Sequence, residues 1–463
     1  MKVRLAGYNI DSELMGEISG EMDSLTPEVI SASYARISRD PRDISILRSE
    51  ARDQVEKARS SNETIVFGLG HSSVAEHAVF NFDIMDISRL AVESLEGFRL
   101  AAYTEKSQRY IRIGRDFIIP AEVTENGLGD QFSKMMAFLA DQYQELYGRM
   151  IDNGLGKSVA REDARYLLPL ATRAQLGMTV NARELEYMVS RLASHRLSEL
   201  RKLAGILTDK SSRIAPSLIK YPEASRYFSN RFIAGGRISE MAGKEKIRAE
   251  SEVKLVSAPE DCDRLLAAVL LFSSGASGIE DSAERVEGLS REKVGEIIRM
   301  TLEGIQPHDS VWREFEFIEF IFEADLSASC FAQMKRHRMA TITAQRYIPE
   351  GPVKIPRSAS GCEDIFEQAA GKAERMYKLI EREAGIEAAE YALLNAHRRR
   401  VMIGMNLREL YHFSRLRSDS HAQWEIRELS ENICSLVRKE APLSSVLLGG
   451  KDSFESLIDR MDS

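Results

Sequence analysis

The feature that most limits how this 463-residue chain can fold is a long internal repeat, a set of short matches that recurs in the same order in both halves. Val3-Arg4-Leu5 returns as Val253-Lys254-Leu255, His71-Ser72-Ser73-Val74 as His308-Asp309-Ser310-Val311, and Gln108-Arg109-Tyr110-Ile111 as Gln345-Arg346-Tyr347-Ile348. Asn181-Ala182-Arg183-Glu184-Leu185 returns as Asn406-Leu407-Arg408-Glu409-Leu410, Ser194-His195 as Ser420-His421, and Ala215-Pro216 as Ala441-Pro442. So long a period denotes a duplicated domain, not a solenoid, with copies at 1–225 and 251–463 and a polar linker over 226–250 around Gly235-Gly236.

Within a copy the pattern mixes strands with long helices and has no regular βαβ rhythm, so each copy is expected to be α+β, a mixed or antiparallel sheet packed with helices. Phe80, Phe82 and Ile84 alternate with Asn81 and Asp83 as a half-buried strand does. Leu90, Ala91, Leu95 and Phe98 fall on one face of a following helix, and in the second copy that helix ends near Arg336-His337-Arg338. Met178-Thr179-Val180 predicts a strand running into a helix that Asn181 caps with Glu184 three residues on; Asn406 and Glu409 repeat this box. Ile426, Leu429, Ile433, Leu436 and Val437 trace a long amphipathic helix.

A composition of 43% hydrophobic and 29% charged residues is that of a folded globular chain. The net charge of -8 argues against a general nucleic-acid or membrane-surface binder, since phosphates would be repelled unless a local basic cluster intervened. The longest apolar run, Leu265 to Phe272, is far too short to span a bilayer, and a cytoplasmic location is expected. Cys262, Cys330, Cys362 and Cys434 are widely spaced, which suggests buried thiols, not disulfides or a zinc site. No metal is expected, because Glu76-His77 in copy one becomes Arg313-Glu314 in copy two.

Two clusters could bind anions. Arg336-His337-Arg338 sits between apolar Phe331 and Ile342, although three such residues taken alone are more often a solvated helix face. Ser107-Gln108-Arg109-Tyr110 offers a hydroxyl, an amide and a guanidinium in a row, a set suited to a phosphate, with a polar turn as the plainer reading. Asn181 and Asn406 are explained as helix caps, and a capped helix start can also meet an anion. Neither copy contains GxGxxG or a P-loop, so a Rossmann reading is excluded.

Together with Gly70-His71-Ser72-Ser73-Val74-Ala75-Glu76-His77 and the stretch from Met405 through Ile426, these segments resemble the flavin-dependent thymidylate synthases over both copies. The resemblance implies reductive methylation of dUMP to dTMP, with FAD as cofactor, NADPH as reductant and methylenetetrahydrofolate as carbon donor. It implies a homodimer that stands in for the family's homotetramer. For dUMP it assigns Gln333, Arg336 and Arg417 from copy two, and Glu105, Ser107, Gln108, Arg109 and Arg165 from copy one, with Arg417 stabilising charge on the ring. For FAD it assigns Arg336, His337, Arg338, Glu105, Ser73, Ser310, Asn406, Arg408 and His412. Each copy has lost what the other keeps: copy one reads Gly97-Phe98-Arg99 at the signature and has its late-helix arginine displaced to Arg191 or lost, while copy two has Ala344 for the serine and Glu390 for the second phosphate arginine. Composite sites shared between the repeats are therefore expected. A catalytically lapsed homologue that still binds flavin or nucleotide is the alternative.

Overall fold

The computed structural model describes residues 1–11, 26–37, 40–242, 253–275 and 277–462. Each copy builds a four-stranded antiparallel sheet. In the first, β1 (Lys2–Tyr8), β2 (Val79–Ser88), β3 (Ala101–Glu105) and β4 (Arg173–Asn181) lie in the order β1-β2-β4-β3. In the second, β5 (Lys254–Ser257), β6 (Glu319–Ser327), β7 (Thr341–Ala344) and β8 (Arg398–Asn406) lie as β5-β6-β8-β7, the same order. The α+β expectation holds, with every pairing antiparallel.

The helices that bear on the site, numbered in chain order, are α1 (Arg89–Leu95), α2 (Gly129–Asp152), α3 (Ala182–Ala193), α4 (Arg226–Ala242), α5 (Ala328–Met334), α6 (Glu363–Ala384), α7 (Leu407–Arg417) and α8 (Trp424–Glu440). Alternation along the central strand of each sheet drives one face into the core, and it repeats in detail: the rings of Phe80 and Phe82 lie 6.2 Å apart, those of Phe320 and Phe322 6.3 Å. The strands differ at one place. β2 carries a bulge between Met85 and Ile87, where Asp86 lies at φ 55°, a left-handed conformation that aspartate tolerates better than most residues.

Two buried acids hold equivalent turns in the two copies. Glu28 accepts the Ser217 N–H at 2.8 Å, and Asp263 accepts that of Ser444 at 2.8 Å, just beyond the repeated Ala-Pro. Glu199 accepts the Ser88 N–H at 2.8 Å and Glu425 that of Ser327 at 3.1 Å, fixing the point where each central strand passes into its helix.

The compact units do not follow the copies. One comprises Met1–Lys246 with Arg357–Leu394, the other Ile247–Pro356 with Asn395–Ser463. Helix α6 of the second copy therefore belongs with α2 of the first, its Lys372 ammonium 3.4 Å from the centre of the Phe138 ring. In the same unit, equivalent segments of the two copies pair: Leu170 N–H donates to Leu393 O at 2.7 Å, and Pro169 bridges Leu394. The expected linker, 226–250, is helical over Arg226–Ala242, and its remainder lies outside the described residues. Two glycines cost a helix about 1 kcal/mol each. The aromatic pair Phe228 and Phe232, one turn apart and packed on first-copy side chains, offsets that cost. Among the described residues no helix is long and apolar enough to cross a membrane.

Candidate functional site

In the second unit, β6 ends at Ser327, whose side chain caps α5 by accepting the Cys330 N–H at 3.1 Å. Helix α5 is short, and the chain leaves it in a turn that sends alternate side chains opposite ways. Arg336 and Arg338 are exposed, while His337 is 3% exposed. On the facing element, β8 ends at Asn406, which accepts the Glu409 N–H at 2.9 Å and starts α7. Glu409, 7% exposed, points inward from the first turn, and its Oε1 lies 3.1 Å from His337 Nδ1. From the last residue of α7, Arg417 Nε donates to His337 Nε2 at 2.9 Å, and its Nη2 reaches Gln333 O at 3.4 Å. Burial pushes the His337 pKa down; the bond to Glu409 opposes this and the charge of Arg417 adds to it.

The sequence-assigned Gln333, His337 and Arg417 thus converge. Gln333 is buried, donates through Nε2 to Gln423 Oε1 at 3.2 Å, and leaves its amide oxygen without a partner among the described residues. His412 is exposed, with its ring centre 5.8 Å from that of His337. Arg408 is committed to the protein: it donates to Val311 O at 2.9 Å and pairs with Glu316 at 2.6 Å, which ties the turn carrying exposed Ser310 to α7. Sequence reasoning missed Glu409 as anything beyond a cap. It also missed Arg415, which donates to Pro307 O and Asp309 O, each at 2.8 Å, and so holds the same turn.

In the first unit, the phosphate candidates gather on Glu162. Arg109 pairs with its carboxylate, Arg165 Nε donates to its backbone oxygen at 3.1 Å, and Arg109 N–H donates to Ser107 Oγ at 3.1 Å. Arg165 is 6% exposed, and burial is the main force lowering its pKa, with the charges of Arg109 and Arg89 acting the same way. Guanidinium groups gathered in this way, Arg165 buried and Arg109 half-buried, suit an anion. Arg89, itself buried, is a third cation that the sequence reading did not single out. Glu105 closes β3 opposite Leu176, with half-buried Gln108 beyond it. Ser73 is exposed on the short turn Ser72–His77, which an Arg183–Glu76 ion pair at 2.5 Å ties to α3.

Strand register settles how the copies correspond at the signature. Glu105 faces Leu176 as Ala344 faces Val401, and Lys106 N–H donates to Gln175 O as Gln345 N–H does to Arg400 O, both at 2.9 Å. Ala344 therefore takes the place of Glu105, not of Ser107; the shortening lies beyond β7, and Arg336-His337-Arg338 aligns with Gly97-Phe98-Arg99. In the first copy Phe98 stands where His337 does. Glu184 accepts the Leu100 N–H at 3.4 Å, and Arg191 lies over the rings of Phe98 at 5.4 Å, Tyr187 at 5.4 Å and Phe228 of α4 at 5.8 Å.

Comparison with known proteins gives the same two-part picture. The family described as thymidylate synthase complementing protein matches the chain twice, over residues 22–217 and 254–443. A UPF0159 protein of Thermoplasma acidophilum is 23% identical, across 93% of this chain and 96% of its own length. The flavin-dependent thymidylate synthase of Sulfolobus acidocaldarius is 29% identical across 50% of this chain and 81% of its own. That of Pyrococcus abyssi is 34% identical across 30% of this chain and 57% of its own.

Proposed function

Because the chain belongs to the thymidylate synthase complementing protein family, we propose that it methylates dUMP reductively to dTMP, with FAD as cofactor, NADPH as reductant and methylenetetrahydrofolate as carbon donor. The observation that carries this reading is the second unit's corner, where Arg417 is held beside buried Gln333, whose amide oxygen has no partner among the described residues. A fixed guanidinium stabilises negative charge developing on a pyrimidine ring, and an acceptor oxygen in that position suits an imide N–H.

Both copies contribute to the reaction in this reading. Ser107, Gln108, Arg109 and Arg165 of copy one hold the nucleotide phosphate, with Glu105 alongside; Gln333, Arg336 and Arg417 of copy two bind and polarise the base. The flavin, when bound, supplies the hydride. Exposed Arg338, Arg336, His412 and Ser310 offer it donors, with Asn406 and Ser73 as further contacts. His337 spends both ring nitrogens on protein partners and Arg408 its Nε and Nη1, so we assign them to holding this frame. No cysteine is required. All four are buried, and burial pushes the Cys262 thiol up to about 11, leaving little thiolate at neutral pH.

A second reading, a lapsed homologue that binds flavin and nucleotide without turnover, is favoured by the aromatic packing of Arg191 in copy one. One experiment separates the two: purified chain with dUMP, NADPH and methylenetetrahydrofolate, assayed for dTMP, alongside its absorbance spectrum. We expect a flavin spectrum and dTMP. Bound flavin and dUMP without dTMP would favour the lapsed homologue, and neither flavin nor dTMP would overturn both readings.

A further inference from the structure

We propose that Glu409 is a positioning residue that acts through neutral His337: it fixes the ring proton on Nδ1, turns the Nε2 lone pair toward Arg417, and so holds the guanidinium that the proposed reaction uses. The inference rests on that reading for its consequence but not for its geometry.

The argument starts from what each atom can do. An arginine Nε–H can only donate, so at 2.9 Å His337 Nε2 must accept. The ring's one proton is then on Nδ1, 3.1 Å from Glu409 Oε1, a carboxylate that can accept it. An imidazolium would set its Nε2–H against the Arg417 Nε–H and lose that bond. Burial favours the neutral ring as well. The charged and titratable groups facing the ring are Glu409, His412 and Arg417, all from α7, with the centre of the Phe413 ring 4.8 Å from that of His337.

Glu409 and Arg417 stand in the first and last turns of one helix, about 12 Å apart along its axis. The imidazole bridges them as a strut, and the Asn406 cap fixes its base. The first copy provides a natural control. Its Glu184 is capped in the same way by Asn181, at 2.9 Å, but Phe98 has no lone pair, and the late arginine of that helix packs against rings. Where the strut cannot accept, the guanidinium is held by other means.

The test uses the full chain labelled with 15N-histidine and 15N-arginine. Long-range 1H–15N spectra, with His337 identified by its loss in His337→Phe, should show a protonated Nδ1 and a lone-pair Nε2 near neutral pH, together with an Arg417 Nε–H protected from exchange. Glu409→Gln should reduce that protection and lower kcat about tenfold, the loss expected of one charge-assisted hydrogen bond, with the KM for dUMP within about twofold. It should also move the acid limb of kcat to lower pH, because a carboxylate that favours the imidazolium is gone. His337→Gln, which can return an acceptor oxygen, should keep more activity than His337→Phe. A proton on Nε2, or unchanged Arg417 protection and kcat in Glu409→Gln, overturns the inference. If the wild-type chain makes no dTMP, the functional reading fails by itself, while ring proton and exchange protection still decide this one.

Discussion

The two corners of this molecule that correspond by duplication have the same frame and different contents. Both place an asparagine cap at a strand end, a buried glutamate in the first helical turn and an arginine near the helix end. In the second copy these groups face a histidine and join into a line of hydrogen bonds; in the first they face a phenylalanine, and the arginine sits among three rings, one from α4. An arginine over aromatic faces gains about 0.5–1 kcal/mol per ring near the surface, and Arg191 Nη1 also donates to the Tyr187 hydroxyl at 3.0 Å. The frame is thus maintained by packing, capping and the repeated acid–turn contacts. The line of hydrogen bonds rests on one ring.

The largest effect that can break this comparison is at the arginines themselves. Arg417→Ala is expected to lower kcat for dTMP formation by about 10²-fold or more, the cost of removing a group that stabilises developing charge, while Arg191→Ala leaves turnover unchanged. Equal losses in single-turnover assays would mean that both corners work. Next is the phosphate end. Replacing buried Arg165 by Ala should raise the KM for dUMP about 10- to 100-fold, as expected for a charge-assisted bond worth about 1.5–3 kcal/mol, with kcat changing less. Glu390→Arg, which restores a cation at the equivalent position of copy two, should not add a second dUMP site per chain by calorimetry, because copy one still lacks the histidine. Smaller again is Phe228→Ala, which removes one ring from the Arg191 box. We expect a stability loss of about 1–2 kcal/mol by denaturant titration, with turnover unaffected; altered turnover would show that α4 serves the reaction.

Much of the frame was legible because it is written locally. The repeat, the alternation of Phe80 with Phe82, and the Asn-x-x-Glu boxes all act within a few residues, and the strands and helices appear where these patterns put them. The exchange of residues 357–394 into the first unit was not legible, since the apolar face of α6 does not say which neighbour will cover it. The helix over 226–242 was obscured by Gly235-Gly236, although the spacing of Phe228 and Phe232 carried its signal. At the site, Arg336-His337-Arg338 read as one cationic face. The chain is turning there, not helical, so the middle ring goes inward and meets Glu409 and Arg417, 72 and 80 positions on in sequence. Gathering of Arg109 and Arg165 on Glu162 was hidden for the same reason.

The smallest effect separates the two corners by pH. Burial raises the pKa of Glu184, with the Leu100 N–H, Arg183 and Arg191 opposing and Glu76 reinforcing. The folded state therefore holds this proton more tightly than the unfolded chain does. Its stabilising contribution is complete below the ordinary glutamate value, about pH 4, and is lost as pH rises through the higher folded value. His337 runs the opposite way. Its pKa is lowered, so its contribution is complete above the ordinary imidazole value, about 6.5, and is lost as pH falls toward the folded value. Glu184→Gln should accordingly leave the thermal midpoint almost unchanged near pH 4 and raise it modestly at neutral pH, whereas His337→Phe should flatten only the decline below about pH 6.5. Midpoints measured across this range for the two variants provide the check. If Glu184→Gln lowered the midpoint at neutral pH, an ionised Glu184 would be gaining more from the Leu100 N–H than burial costs it, and the first corner would be a polar site like the second.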